Sequence, residues 1–187
     1  VLVVNRPGAS GAIAINEVVA AAPDGYTLGI GPTSAFTLAF HFTDIPPDLL
    51  DRIDPMLMVG RQRVGMVVKA DSPHKSLNDL MEFATRNPGR VSVGVPGAGT
   101  SVEIFAREIA RQRGAELVVV PFKGDADVAA ALLGSQIVAG SLSTAGFATQ
   151  VRAKKMRVLA SYQAERFDMA PEVPTLDEMG YGLTATS

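Results

Sequence analysis

The 187-residue sequence contains no cysteine. That absence excludes disulfides, thiolate zinc centres, iron–sulfur clusters and cysteine nucleophiles together, and it leaves the redox compartment open. Histidine is nearly absent, with only His41 and His74, far apart and without a neighbouring acidic cluster. A metal site is therefore not expected, and a Ser–His–acid triad has only these two polar-loop histidines to draw on. Both read as surface residues. Aromatic residues make up 6% of the chain, and 17 Lys and Arg against 19 Asp and Glu leave a formal net charge of −2. A chain this close to neutral lacks the basic excess of a nucleic-acid binder. No run of about 18 apolar residues occurs, so no direct membrane insertion is expected. What the chain does have is apolar content, 47% of its residues. That is enough for a sizeable core and incompatible with disorder as a description of the whole. Its length suits one domain or two small ones.

Short β-rich runs alternate with longer amphipathic stretches. Residues 1–4 and 26–31 read as strands flanking a helix over 12–22, with a loop or short helix over 32–40. Residues 56–69 are apolar and extended, broken near Arg61-Gln62-Arg63, and Met56, Met58 and Met66 in this stretch read as core. A helix over 76–87 starts at Ser76, with Asp79 placed as its capping-box partner. Then come strands at 91–95, 116–120, 136–140 and 156–161. Between them lie helices at 100–113, 125–133 and 144–153, and a short capped helix at 174–180. This alternation predicts an α/β fold with mostly parallel sheets. Because the chain opens directly on a strand, it reads as the middle of a longer protein, and no signal peptide is visible at Val1.

In open α/β sheets ligands bind beyond the carboxyl ends of the strands. Five such loops contain Asn5-Arg6-Pro7-Gly8-Ala9-Ser10-Gly11, Gly31-Pro32-Thr33-Ser34, Pro96-Gly97-Ala98-Gly99-Thr100-Ser101, Pro121-Phe122-Lys123-Gly124 and Gly140-Ser141-Leu142-Ser143-Thr144. They are rich in Gly, Ser and Thr, and Arg6 and Lys123 are their only cations. Small residues allow close backbone approach, and helix N-termini supply free N–H groups with a positive dipole end. Together they suggest a cradle for a small anion. The candidate contacts are Thr33 and Ser34 from the first half, then Gly97, Ala98, Gly99, Thr100 and Ser101. Phe122, Lys123, Gly124, Ser141 and Ser143 complete the set.

Enzyme motifs fail. Gly97-Ala98-Gly99-Thr100-Ser101-Val102 imitates a dinucleotide fingerprint but has Val102 at the third glycine position. No phosphate loop ends in Gly-Lys-Ser/Thr, and Gly8-Ala9-Ser10-Gly11 is one residue short of a nucleophile elbow. The acids Asp125, Asp127, Asp177 and Glu178 stand at expected helix starts, where the dipole favours them. They read as capping residues, and no cofactor is implied.

The same loops carry a resemblance. Val3-Val4-Asn5-Arg6-Pro7-Gly8-Ala9-Ser10-Gly11, followed by Ala21-Ala22-Pro23-Asp24-Gly25-Tyr26-Thr27-Leu28, resembles the signature of the Bug-type receptors of tripartite tricarboxylate transporters. Ala84-Thr85-Arg86-Asn87-Pro88-Gly89-Arg90-Val91, Gly97-Ala98-Gly99-Thr100, Val120-Pro121-Phe122-Lys123-Gly124 and Leu132-Leu133-Gly134-Ser135-Gln136 follow in the same order. Lys154-Lys155-Met156-Arg157-Val158-Leu159-Ala160 and Pro171-Glu172-Val173-Pro174-Thr175-Leu176 extend the match over essentially the whole chain.

The resemblance implies a type II periplasmic-binding-protein-like fold whose two lobes close on a ligand. Residues 1–64 would be part of an incomplete lobe one, residues 65–183 lobe two, and 184–187 the start of the return crossover. It implies a periplasmic, non-enzymatic receptor for a small carboxylate, serving the membrane permease subunits of the transporter. A receptor feeding a sensor protein is the alternative within binding, and an α/β enzyme acting on a phosphorylated ligand is the alternative outside it. The chain departs from the family pattern at Phe122, where Tyr is common, and at Glu103, where His is frequent. It departs again at Ser141-Leu142-Ser143, where Asp or Asn is usual. An acid beside an anion site is unfavourable unless it faces away or the ligand carries an amino group.

Overall fold

The structure is a computed structural model that describes residues 1–37 and 47–185. His41 lies outside the described residues, as does part of the loop expected over 32–40. Helix α1 (Ala12–Ala20) and the single-turn helix α2 (Thr33–Thr37) precede the sheet. The main body runs β1 (Val64–Lys69), α3 (Leu77–Arg86), β2 (Val91–Val95), α4 (Ser101–Gln112) and β3 (Leu117–Pro121). It continues with α5 (Asp125–Leu133), β4 (Ala139–Ser143), α6 (Thr144–Arg152) and β5 (Met156–Ser161).

These five strands form one sheet in the order β3-β2-β4-β1-β5. β2 pairs in parallel with β3 and β4, whereas β1 runs antiparallel to β4 and β5. Four strands thus point one way and β1 alone points back. Strand pleating sorts the side chains onto two faces. Met66, Val68, Val91, Val93 and Val95 pack with α3 and α4 residues such as Leu80, Ala106 and Ile109. Val67, Leu142 and Val158 pack with Val128 and Leu132 of α5 and Phe147 of α6. Helices therefore cover both faces, as the near-continuous apolar strands require.

Helix α3 shows how local chemistry sets an element. Its N-cap Ser76 accepts from Asp79 N–H at 3.1 Å, and Asp79 accepts from Ser76 N–H at 3.0 Å, a reciprocal capping box. Such a cap contributes about 1 kcal/mol. At 174–180 the same chemistry forms a run of turns instead of the expected helix. Thr175 and Glu178 bond reciprocally there, at 2.8 and 3.1 Å, but the segment is too short to propagate beyond its cap.

Before β1 the chain behaves differently. Residues 1–4 and 26–31, expected as strands, form no strand and pair with none among the described residues. Met66 is fully buried, but Met56 and Met58 are exposed, so only one of the three methionines is core. Among the described residues before β1, the core is a small separate cluster of Ala12, Ile15 and Ala35. Tyr26 is 93%, Ile30 80% and Leu57 81% exposed. Unpaired extended segments bearing apolar side chains are templates for strand addition. The 187-residue chain expressed by itself is therefore expected to associate in a concentration-dependent way in light scattering. Leu28→Lys with Leu57→Lys should suppress that association. A wild-type chain that stays monomeric at high concentration would contradict it.

Candidate functional site

The carboxyl ends of β2, β3 and β4 lie at one edge of the sheet and lead into α4, α5 and α6. The connection leaving β2 runs through α4 on one face toward β3, and the one leaving β4 runs through α6 on the other face toward β5, so the boundary between β2 and β4 is a topological switch point of the kind where α/β sheets bind ligands in a crevice. Because Val64 pairs with Ser143, the antiparallel β1 enters at this same edge. Arg63, just before β1, therefore lies at this same end of the sheet.

Contact between the two parts is made there. Ser10 lies in a tight turn in the left-handed region, φ 55°, and its hydroxyl donates to Ala98 O at 2.5 Å. Gly97 opposite has φ 156°, and a Cβ on it would stand 2.6 Å from Ser10 Oγ, so close approach requires glycine at that position. A cavity of about 740 Å³ opens beside this contact, a volume in the range of small-molecule sites. Its walls include Gly8, Ala9 and Ser10 on one side and Gly97, Ala98, Phe122, Lys123 and Asp127 on the other. Lys123 is exposed and forms no ion pair among the described residues.

The remaining candidates have local partners. Thr100 Oγ1 donates to Gly97 O at 2.9 Å and holds the 97–100 loop closed rather than capping α4. Gly99 N–H donates instead to Glu103 Oε2 at 2.8 Å, and Arg107 Nε donates to Glu103 Oε1 at 2.8 Å. Ser101 opens α4 and Gly124 precedes α5 as its N-cap. Ser141 lies within β4, not after it, and is fully buried. Its hydroxyl donates to Val102 O at 2.8 Å, which leaves the Tyr162 hydroxyl, 2.9 Å away, as donor to Ser141 Oγ.

Ser143 is also in β4 and caps α6. Its N–H donates to Asp125 Oδ1 at 3.2 Å, and its hydroxyl donates to Asp125 Oδ2. Burial pushes the Asp125 carboxyl above its ordinary range, against those two bonds, which hold it down. Asp125 thus serves the start of α6 rather than its own helix. Thr33 stands exposed at the start of α2, outside the walls of the cavity, and the Ser34 side chain lies outside the described residues.

His74 corrects an expectation. It is 8% exposed, tilted against Phe83 at 5.0 Å, and burial lowers its pKa, so it is a packed residue rather than a surface one. Ser10, Glu103, Asp125 and Asp127 were not among the expected contacts. For Glu103 a local signal existed, the Thr-x-x-Glu spacing of a capping box at 100–103. Among the described residues no group of three His, Asp or Glu could hold a metal ion, and no helix is long and apolar enough to cross a membrane.

The fold and the crevice define a periplasmic-binding-protein lobe with helices on both faces of the sheet. The chain belongs to the tripartite tricarboxylate transporter receptor family, whose description matches residues 1–187. It is 33% identical over 187 residues to the UPF0065 protein in the gbd 5′ region of Cupriavidus necator, covering all of this chain and 57% of that protein. Protein BugT of Bordetella pertussis is 29% identical over 184 residues, 97% of this chain and 56% of its own length. Among solved structures, a periplasmic transporter superposes with a TM-score of 0.80 at 30% identity, over 96% of this chain and 61% of that one. A protein of R. palustris solved with adipate gives 0.85 at 25% identity, over 98% and 62%. The chain therefore spans little more than half the length of the curated relatives it matches.

Proposed function

We propose that this chain is the ligand-bearing part of a periplasmic receptor that captures a small organic acid and delivers it to the membrane permease subunits of a tripartite tricarboxylate transporter. Its role is binding, not catalysis. Residues 1–64 form part of lobe one, 65–183 form lobe two, and 184–187 begin the return crossover. The observation that carries this reading is the cavity walled by residues 8–10 from before the sheet and by the 97–98 and 121–123 loops at its carboxyl edge. Gly97, Ala98, Phe122 and Lys123 line it, and Gly99, Thr100, Ser101 and Gly124 follow in the same two loops at the starts of α4 and α5. Thr33, Ser141 and Ser143 lie outside its lining. The adipate complex of a relative with this fold supports a carboxylate as the ligand class.

The test is a thermal-shift screen of mono-, di- and tricarboxylates on the full-length receptor. A ligand present at 100 times its Kd adds about 2.7 kcal/mol to stability, enough to raise Tm by several degrees. Stabilisation by phosphorylated compounds alone, with no response to any carboxylate, would favour an enzyme instead.

A further inference from the structure

A second cavity, of about 620 Å³, opens where β1 finishes, and it shares no lining residue with the first. Lys69 ends β1 there, beyond the pairing of Val68 with Ala139, whereas Val64 pairs with Ser143 at the other end of the sheet. The β1–α3 loop, α3 and the loop entering β4 form its walls. The β1–α3 loop is held from behind. Arg157 of β5 donates to Ala70 O at 2.7 Å and to His74 O at 3.3 Å, and Ser72 Oγ accepts the His74 N–H at 3.2 Å. Arg157 forms no ion pair among the described residues, so its charge stands unneutralised behind this wall.

The groups facing the cavity differ in what they have left to give. Lys69 Nζ lies 3.1 Å from Asp71 Oδ2 and donates to Ser135 Oγ at 3.1 Å, so it is largely committed. Arg90 is exposed and pairs with no carboxylate among the described residues. His74 is more than nine-tenths buried in the same wall. Its backbone bonds to Ser72 and Arg157, but its imidazole takes no hydrogen bond among the described residues. No fully enclosed side-chain nitrogen or oxygen among them lacks a partner, so the ring nitrogens are not sealed in and open toward the cavity. Phe83 stands beside His74 and is itself 40% exposed. An unpaired guanidinium, an unpaired imidazole and a partly exposed aromatic ring thus share one cavity.

Arg90 offers a planar fork that matches a carboxylate with two N–H donors, and a neutral imidazole adds another. The Phe83 ring can take a second ring edge-on or offset. Asp71 in the same wall disfavours a second negative charge on the ligand. We propose that this cavity is a second ligand site, apart from the first, that binds an aromatic monocarboxylate with its carboxylate on Arg90 and His74 and its ring on Phe83. The proposal does not depend on ligand capture in the first cavity.

Calorimetry on the full-length receptor with benzoate, acetate, benzyl alcohol and inorganic phosphate tests it. Benzoate is expected to bind saturably. Acetate lacks the ring, benzyl alcohol lacks the charge and phosphate lacks the apolar body, so each should bind about tenfold more weakly or worse. Arg90 is exposed, so its variants should fold. Arg90→Met is expected to weaken benzoate binding about tenfold or more, and Arg90→Lys, which keeps the charge but not the fork, by less. Lys123→Met, in the other cavity, should leave it within about twofold of wild type. In proton NMR the His74 ring signals, assigned by their loss in His74→Gln, should shift at the same half-saturation. Benzoate binding that Lys123→Met removes and Arg90→Met spares would put the acid in the first cavity and overturn the inference. So would an absence of saturable benzoate binding. Phosphate bound as tightly as benzoate, with the same dependence on Arg90, would define a plain oxyanion site and overturn the ligand class. None of these results touches the receptor reading, which the thermal-shift screen decides.

Discussion

Replacing Tyr162 with alanine in the full-length receptor is expected to lower unfolding stability by about 3–5 kcal/mol, a large share of the ~5–15 kcal/mol a domain has. Tyr162 is fully buried and stacks on Phe105 of α4 with ring centroids 5.1 Å apart and planes within 12°. The side chain also closes a polar chain through the core, from its hydroxyl to Ser141 Oγ and on to Val102 O. Burial raises the Tyr162 pKa above the usual phenol range and so favours the neutral hydroxyl that donates to Ser141 Oγ. Tyr162→Phe keeps the packing and removes only the donor, and about 1–3 kcal/mol is expected from the bond left unmade. Ser141→Ala should cost a similar amount by urea denaturation while leaving carboxylate affinity unchanged. If it weakened ligand binding tenfold without affecting stability, Ser141 would belong to the ligand site and not to the core.

The case of Ser141 also shows where the sequence was legible. Strand–helix alternation after Val64 was readable because most strands are apolar and buried, as in Val91–Val95, with only the edge strand Leu117–Pro121 partly exposed, and helices such as Leu77–Arg86 have a clear apolar side. The strand β4 was displaced because Ala139-Gly140-Ser141-Leu142-Ser143 looks like a polar loop. Its small residues are required by packing, since a Cβ on Gly140 would stand 2.9 Å from Leu142 and 3.2 Å from Val128. Its serines are tolerated because Tyr162 and Asp125, distant in sequence, satisfy them. No local window contains that information. Residues 1–4 and 26–31 failed for the opposite reason: their β-rich composition is clear, but a ladder needs a partner, and none is present among the described residues.

Within the candidate site, the glycine-rich loop 97–98 lines the cavity, and the hydroxyls of Thr100 and Ser143 have partners in the chain. Gly97 and Ala98 do wall the cavity, and Phe122 packs over Gly94 with its N–H bonded to Val95 O at 2.8 Å, which sets the Lys123 backbone. Thr100 and Ser143 looked like ligand donors because Ser and Thr at helix starts usually offer a hydroxyl. Here each hydroxyl donates to an acceptor of the chain itself, Thr100 to Gly97 O and Ser143 to the Asp125 carboxylate. Asp125 reaches Ser143 from 18 positions away, through the packing of α5 against α6.

Removal of one charge in the cavity wall has the largest expected effect on binding. Lys123→Met in the full-length receptor is expected to weaken carboxylate binding about 10- to 100-fold, because a hydrogen bond to a charged group contributes roughly 1.5–3 kcal/mol. The substitution retains the apolar stem and the volume, and Lys123 is exposed without an ion pair among the described residues. Stability should therefore stay within about 0.5 kcal/mol of wild type. Lys123→Arg keeps the charge and should keep most of the affinity. Salt gives a second reading that packing alone would not move. Wild-type affinity should fall as ionic strength rises, since the cation stands at an open site, and that slope should flatten in Lys123→Met. Asp127, in the first turn of α5, lines the same cavity, so an alternative arrangement has Lys123 restrained by that acid rather than by the ligand. In that case the methionine variant would lose a little stability, and both the affinity and its salt dependence would match wild type. That pairing of results would place the ligand's carboxylate elsewhere in the crevice.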